Sequence, residues 1–198
     1  MSLPYSTINK PTEGLFKARG SKFIAYAFPI STADDVKPLI EQLKTEHPSS
    51  RHACYAYQLG IDGNEYRAND DGEPNGSAGL PILNQIKSKE VTNVLVVVVR
   101  YFGGTKLGVS GLVTAYKEAA KDALDKADIV EKIPTADISI QFPLSSIGDV
   151  ERIIRQHNFS IKHQDFGSDC QWTIEVPESE HKLASDILYA VKDVDLKS

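Results

Sequence analysis

The sequence has few of the features that mark secreted, metal-binding or membrane proteins. Among its 198 residues there are two cysteines, Cys54 and Cys170, one methionine and one tryptophan. Two cysteines so far apart argue against a disulfide scaffold and against a cysteine-based zinc site. No basic segment followed by an apolar core opens the chain, and the apolar run at Val94 is far too short to span a bilayer. We therefore expect a cytoplasmic protein with reduced thiols and no membrane insertion.

The sequence also has no excess of basic charge. Its formal net charge is −5; residues 1–133 hold 16 basic and 16 acidic side chains, and residues 134–198 hold 6 basic and 11 acidic ones. Strong binding to nucleic acid without sequence preference depends on many lysine and arginine contacts to phosphates. The charge therefore argues against such binding by the C-terminal part and leaves room for a local basic patch on the first part.

The most informative stretch reads as a strand, a glycine loop and a helix. Val94–Arg100 is a β-branched run typical of a strand buried on both faces, and apolar positions from Leu112 to Ala127 recur with helical spacing. The intervening loop holds Gly103, Gly104, Gly108 and Gly111, with Lys106 and Ser110 among them. Such a loop can bind an anion at the helix N-terminus, or its glycines can serve only close packing of helix on sheet. It is not a P-loop, because Val109 stands where the lysine of that motif belongs.

The rest of the first part predicts further strands and an acidic loop. A hairpin turning at Arg19–Ser21 and a helix capped by Asp35 come first. A strand at 51–60 then places His52 and Cys54 on one face, and residues 65–68 return beside it. The loop 69–77 carries Asp70, Asp71 and Glu73, which suggest either a cation site or simply a solvated loop, and Ser77 is a candidate cap for the next helix. Arg100 can pair with this acidic loop or join Lys106 in binding a phosphate or an acidic peptide.

Beyond a boundary near residues 131–135 the pattern changes. An alternating strand over 136–142 is followed by a helix from about 147 that ends at Asn158, and by strands at 159–166 and 170–176. A helix over 183–191 and a short edge strand at 194–196 complete the order. This is the β-α-β-β-α-β plan of ferredoxin-like domains. We therefore predict an α+β protein of two domains, residues 1–133 and residues 134–198.

Three segments in this order resemble the signature of the bacterial YigZ and eukaryotic IMPACT family. They read HACYAY from His52, NDDGEPNGSAGLPIL from Asn69 and VVVRYFGGTKLGVSGLVTAY from Val97. The resemblance implies a first domain with the β-α fold of a small-ribosomal-subunit protein and the GHMP kinases, including a left-handed crossover. It implies that the second, ferredoxin-like domain is similar to the C-terminal domain of elongation factor G.

The resemblance also implies a role. Eukaryotic members, which carry an additional RWD domain not found in this sequence, are tied to translational control under amino-acid stress through a kinase activator and ribosome association. We therefore expect a binding or regulatory protein whose partner is the ribosome, RNA or a translation-related protein, with no cofactor, no metal and no assigned catalytic residue. The alternative is an enzyme or small-molecule binder that uses the Gly103–Gly111 loop as a phosphate site. The positions expected to form the binding surface are His52, Asp70, Asp71, Glu73, Arg100, Tyr101, Gly103, Gly104, Lys106, Gly108, Ser110 and Gly111.

Overall fold

The structure is a computed structural model that describes residues 3–197. The chain forms two compact units, Tyr5–Lys132 and a second unit that contains residues 133–197. Both units combine helices with antiparallel sheet, so the predicted two-domain mixed α/β class is confirmed. No helix within residues 3–197 is long and apolar enough to cross a membrane.

The first unit is built on a five-stranded sheet with β6 at its centre. In chain order its elements are β1 (Tyr5–Ile8), β2 (Thr12–Ala18), β3 (Ser21–Pro29), α1 (Val36–Glu46), β4 (His52–Leu59), β5 (Glu65–Asn69), α2 (Gly79–Ser88), β6 (Val94–Tyr101), α3 (Gly108–Asp125) and β7 (Ile129–Lys132). The strand order is β2-β3-β6-β4-β5, and every neighbouring pair is antiparallel. The strands β1 and β7, neither of which was predicted from sequence, form a separate antiparallel pair.

Both faces of β6 are buried, as its β-branched run predicted. Val94, Val96 and Val98 lie in one core with apolar side chains of α2 and α3. The alternate residues of the strand lie in a second core, which includes Leu43 of α1. Because successive side chains of a strand point to opposite faces, a helix layer on each side of the sheet requires a strand that is apolar at every position.

The strands β3 and β4 lie on either side of β6, and α1 connects them. Each is antiparallel to β6, so the two run parallel to one another and the β3–α1–β4 segment is a crossover connection. Crossovers of this kind are right-handed in nearly all sheets. The left-handed crossover that the family resemblance implies remains a prediction.

The turn between β2 and β3 is the predicted hairpin. Arg19 and Gly20 both have positive φ, 46° and 80°, as a two-residue turn of this twist requires. A side chain at Gly103, just after β6, would collide with the backbone of Gly20 and Ser21. The glycine therefore allows the hairpin turn and the end of β6 to approach backbone to backbone.

The second unit has the predicted β-α-β-β-α-β order. Its elements are β8 (Thr135–Phe142), α4 (Ile147–His157), β9 (Ser160–Phe166), β10 (Cys170–Pro177), α5 (His181–Tyr189) and β11 (Asp195–Lys197). The sheet order β11-β8-β10-β9 is antiparallel throughout, which is the ferredoxin-like arrangement. Its core includes Phe142, Trp172 and Leu188. Asn158 ends α4 in the left-handed conformation, with φ 54°.

Candidate functional site

A cavity of about 470 Å³ lies where the end of β6 meets the start of α3. Residues from all three signature segments line it, so segments far apart in the chain converge on one place. The predicted site residues that line the cavity are His52, Glu73, Arg100, Lys106 and Gly108. The other residues that line it are Arg51, Pro74, Phe102, Leu107, Val109 and Leu112.

A buried ion pair forms one wall of the cavity. Arg100 Nη1 donates to Glu73 Oε1 at 2.6 Å, and the same oxygen accepts a hydrogen bond from the Tyr116 hydroxyl at 2.8 Å. The side chains of Arg100 and Glu73 are only 9% and 5% exposed. This bears out the interpretation in which Arg100 pairs with the acidic loop. The pair joins the loop, β6 and α3 around the cavity.

Arg100 keeps hydrogen-bonding capacity beyond this pair. A guanidinium has five N–H donors, and Arg100 Nε is buried without a partner among residues 3–197. The guanidinium carbon lies 5.5 Å from the ring centre of Phe23 and 5.6 Å from that of Phe102. These rings stabilise the positive charge and restrict the side chain's movement.

Asp70 holds the acidic loop and the start of α2. Its Oδ1 accepts hydrogen bonds from the amides of Ala78 and Gly79 at 2.9 and 2.8 Å, and its Oδ2 accepts one from Gly76 at 2.8 Å. The expectation that Ser77 caps this helix is wrong, because the Ser77 hydroxyl donates to the Pro74 carbonyl instead. Asp70 therefore organises the loop and does not line the cavity.

Asp71 is likewise used within the protein. Its Oδ2 accepts the Ala53 amide at 2.7 Å, its Oδ1 lies 3.3 Å from Lys44 Nζ, and its φ is 41°. The carbonyl of Asp71 accepts a hydrogen bond from His52 Nδ1 at 2.8 Å, which fixes the ring against the cavity.

The three carboxylates of the loop do not converge on one point. Asp70 faces the start of α2, Asp71 faces β4, and Glu73 faces Arg100. A calcium or magnesium site needs several oxygens directed at one centre. The cation-site interpretation therefore has no support in this geometry. Gly72, Pro74 and Asn75 are exposed, as in a solvated loop, while the three carboxylates are held by internal partners.

The first turn of α3 borders the cavity. Lys106, Leu107, Gly108 and Val109 line it, and no acidic residue occurs in that turn. Among the described residues no side chain caps the helix. The first amides of a helix lack internal partners and carry a partial positive charge, so this end of α3 adds to the positive potential of the cavity. Gly108 has φ 73°, which a glycine adopts without strain.

Several expected site residues lie elsewhere. Tyr101 is on the opposite face of β6, where its hydroxyl contacts His47 Nδ1 at 2.7 Å, because neighbouring residues of a strand alternate between faces. Gly103 packs against the hairpin turn. The other expected residues that do not line the cavity are Gly104, Ser110 and Gly111.

Arg51 and Phe102 also line the cavity, and neither was predicted as a site residue. Phe102 is two residues beyond Arg100, so strand alternation continued past the end of β6 could have placed both on one face. Arg51 directly precedes β4, and strand alternation does not indicate that its side chain faces the cavity.

Cys54 does not act as a nucleophile beside His52. Its thiol is fully buried and donates to the Asp70 carbonyl at 3.0 Å. Burial raises the pKa of the Cys54 thiol, so the reactive thiolate is not populated near neutral pH. His52 and Cys54 thus each hold a backbone carbonyl of the acidic loop.

The fold and cavity define a class: a two-domain α/β protein with a cationic, apolar-walled cavity at the start of a glycine-led helix. Residues 19–124, more than half of the chain, match the Impact N-terminal domain, and residues 140–183 match a domain of unknown function, DUF1949. The chain belongs to the IMPACT family, which confirms the predicted family membership.

Relatives similar to this chain extend over most of its length. The IMPACT family member YvyE of Bacillus subtilis is 30% identical and covers 92% of this chain and 84% of its own. The IMPACT family member YigZ of Escherichia coli is 32% identical over 79% of this chain and 78% of its own. A crystal structure of a hypothetical protein has a TM-score of 0.75 at 27% identity, covering 100% of this chain and 98% of its own.

Eukaryotic relatives match a smaller part. The Protein IMPACT homolog of Saccharomyces cerevisiae is 35% identical over 46% of this chain and 36% of its own length. A structure described as that of the two-domain translational regulator Yih1 covers 62% of this chain and 47% of its own, at 26% identity. Its TM-score is 0.37, so its superposition carries no argument about this fold.

Proposed function

We propose that this protein takes part in the regulation of translation in the cytoplasm, by contacting the ribosome, RNA or a translation factor. The contact surface is the cavity face, defined here as Arg51, His52, Phe102, Lys106 and Val109. The observation that carries the proposal is the convergence of the three family signature segments on one cavity. Membership of the IMPACT family, whose eukaryotic members are expected to act in translational control, supports the translational part.

The chemistry of the cavity face suits a polyanionic partner. Arg51 and Lys106 have no acidic side chain within 4.0 Å among the residues that the structure describes. Phe102 and Val109 are 50% and 57% exposed beside them. Exposed cations contact phosphates, and an exposed aromatic ring stacks with an unpaired base or packs against a protein partner. The face thus combines charge with apolar area despite the net acidity of the whole chain.

Ribosome co-sedimentation of the full chain tests the proposal. We expect Lys106→Ala to lower the bound fraction and a Lys106→Ala, Arg51→Ala double variant to lower it further, because each removes one cationic contact. The binding should also weaken as salt increases. Arg100 is unsuitable for this test, since its replacement would leave Glu73 buried without its partner.

Lys117→Ala is the matched control, because Lys117 is an exposed lysine on α3 that does not line the cavity. Equal sedimentation of all three variants and the parent would contradict the proposed surface. Absence of binding by the parent to ribosomes, to RNA and to isolated translation factors alike would contradict the proposed role.

A further inference from the structure

The cavity has an excess of positive charge. Arg51, Arg100 and Lys106 line it, and the one carboxylate on its wall, Glu73, is already bonded to Arg100 and Tyr116. Partial charge from the first amides of α3 adds to theirs. Positive charge gathered in a concave site attracts anions more strongly than the same charge spread over a flat surface.

Arg100 supplies the second indication of an anion. Its side chain is nine-tenths buried, yet Glu73 takes only one of its five N–H donors, and Nε has no partner within residues 3–197. Buried donors are normally satisfied, and those that are not call for an explanation. Nε itself is shielded from solvent, so an acceptor held in the cavity beside Arg100 would engage the Nη donors that Glu73 leaves free.

The start of α3 is open to such an acceptor. The helix has 18 residues, and its first turn holds no acidic side chain. Its first residue, Gly108, lines the cavity and has no side chain that would cover the backbone. A β-carbon built at Gly108 would meet no atom within 4 Å apart from its chain neighbours and the helix's own backbone, so the space on this side of Gly108 is open. Helix N-termini of this kind bind phosphate groups.

The size and walls of the cavity point to a ligand larger than a simple ion. A volume of about 470 Å³ falls within the roughly 300–1,000 Å³ typical of sites for small organic molecules. Pro74, Phe102, Leu107 and Val109 add apolar lining to the charged residues. A phosphomonoester carries nearly two negative charges and three acceptor oxygens. It matches three cations less one carboxylate, a net excess of two positive charges, better than a carboxylate ligand does.

We infer that the cavity binds a phosphomonoester group attached to an aromatic or apolar moiety, as in a nucleoside monophosphate or a 5′-phosphorylated RNA end. Arg100, Lys106 and the first amides of α3 hold the phosphate, and Phe102 with Val109 contacts the attached group. Glu73 is a positioning residue that orients Arg100. This inference goes beyond the proposed function and does not depend on it, because such a ligand can bind whether or not the ribosome does.

Isothermal titration calorimetry on the full chain at low salt tests the inference with paired probes. The pairs are adenosine 5′-monophosphate with adenosine, and a 5′-phosphorylated tetraribonucleotide with its 5′-hydroxyl form; inorganic phosphate is the fifth probe. We expect at least one phosphorylated probe to bind at least about tenfold more tightly than its unphosphorylated twin, and more tightly than inorganic phosphate. Lys106→Ala should reduce that affinity about tenfold, as loss of one charged hydrogen bond does, and Lys117→Ala should not.

The outcomes separate cleanly. Binding of the mononucleotide alone identifies a free metabolite, binding of the RNA alone identifies an RNA end, and either supports the inference. No binding by either phosphorylated probe, or equal binding within both pairs, overturns it. Equal losses in the Lys106 and Lys117 variants overturn the assigned location, and tightest binding by inorganic phosphate overturns the attached group. If the nucleotide binds but the parent, Lys106→Ala and Lys117→Ala co-sediment equally with ribosomes, the result would count against the proposed function alone.

Discussion

The Arg100–Glu73 ion pair is the most enclosed charge pair among residues 3–197. Glu73→Ala removes the carboxylate, leaves Arg100 charged in a buried position and deprives the Tyr116 hydroxyl of its acceptor. We expect the free energy of unfolding to fall by roughly 3–5 kcal/mol, the usual effect of removing one partner of a buried pair. Urea unfolding monitored by circular dichroism measures it.

The exposed pair between Arg152 and Asp149 is the control. Both side chains are 63% exposed, so Arg152→Ala should change the free energy of unfolding by less than about 1 kcal/mol. A loss below 1 kcal/mol in Glu73→Ala would show that the pair is not the structural link that its geometry suggests.

At the scale of elements, the start of α2 depends on a residue nine positions upstream. Asp70→Ala removes three hydrogen bonds to backbone amides, those of Gly76, Ala78 and Gly79. We expect a loss of roughly 1–3 kcal/mol in the free energy of unfolding, as for a lost helix cap. Asp70→Asn should lose less, because one amide oxygen can still cap α2. Ser77→Ala, which leaves these bonds intact, should lose less than either, and the reverse order would contradict this account.

The start of α1 provides a pH test. Amides of Thr32 and Ser31 donate to Asp35 Oδ2 at 2.9 and 2.8 Å and lower the pKa of this carboxyl below its ordinary 3.8. A carboxyl with a lowered folded-state pKa stabilises the protein above its unfolded-state pKa, and this contribution is lost as pH falls through the folded-state value. Asp35→Ala should therefore be less stable by about 1 kcal/mol at neutral pH.

That difference between Asp35→Ala and the parent should narrow as pH falls below 3.8 in a series of urea titrations. Asp34→Ala, at the exposed neighbouring position, is the control. A constant difference down to the lowest pH would mean that side-chain packing, and not the ionised carboxylate that holds the Ser31 and Thr32 amides, stabilises the turn before α1.

Local patterns predicted most elements because they depend on neighbouring residues. The all-apolar run of β6 and the period-two alternation of β8 and β10 are of this kind. The pair of β1 with β7 joins residues more than 120 positions apart through strands of only four residues, so neither strand has a detectable period. The role of Asp70 as the cap of α2 was not predicted for a related reason, because Asp70 reaches the helix only after the loop has folded back.

At the scale of the whole molecule, tryptophan fluorescence reports on the second unit alone. Trp172 is the only tryptophan, and it is buried in the core of the second unit. If residues 1–133 and 134–198 are independent domains, as predicted from sequence, the tryptophan transition in urea should have the same midpoint in the full chain and in a 134–198 fragment. The transition should also be unaffected by Glu73→Ala, because Glu73 belongs to the first unit. If the free energy of unfolding obtained from this transition differs by more than about 1 kcal/mol in either comparison, the two domains are not independent.

The candidate site was partly predictable at this scale. The family signature located His52, Glu73, Arg100 and Lys106, and the structure brings all four to one cavity. The sequence could not separate them from residues such as Asp70 and Gly103, whose roles depend on how distant backbone segments approach.

The adjacent glycines Gly103 and Gly104 should respond differently to evolutionary or laboratory diversification. Gly103 is confined by the backbone of the hairpin turn, whereas Gly104 has φ 86° and an added β-carbon there would meet nothing within 4 Å beyond its chain neighbours. Asparagine tolerates positive φ, so it is an admissible replacement at 104 and an inadmissible one at 103. Glycine at 103 is thus required by lack of space, and glycine at 104 is favoured by its backbone conformation, so the two neighbours serve the fold for different physical reasons.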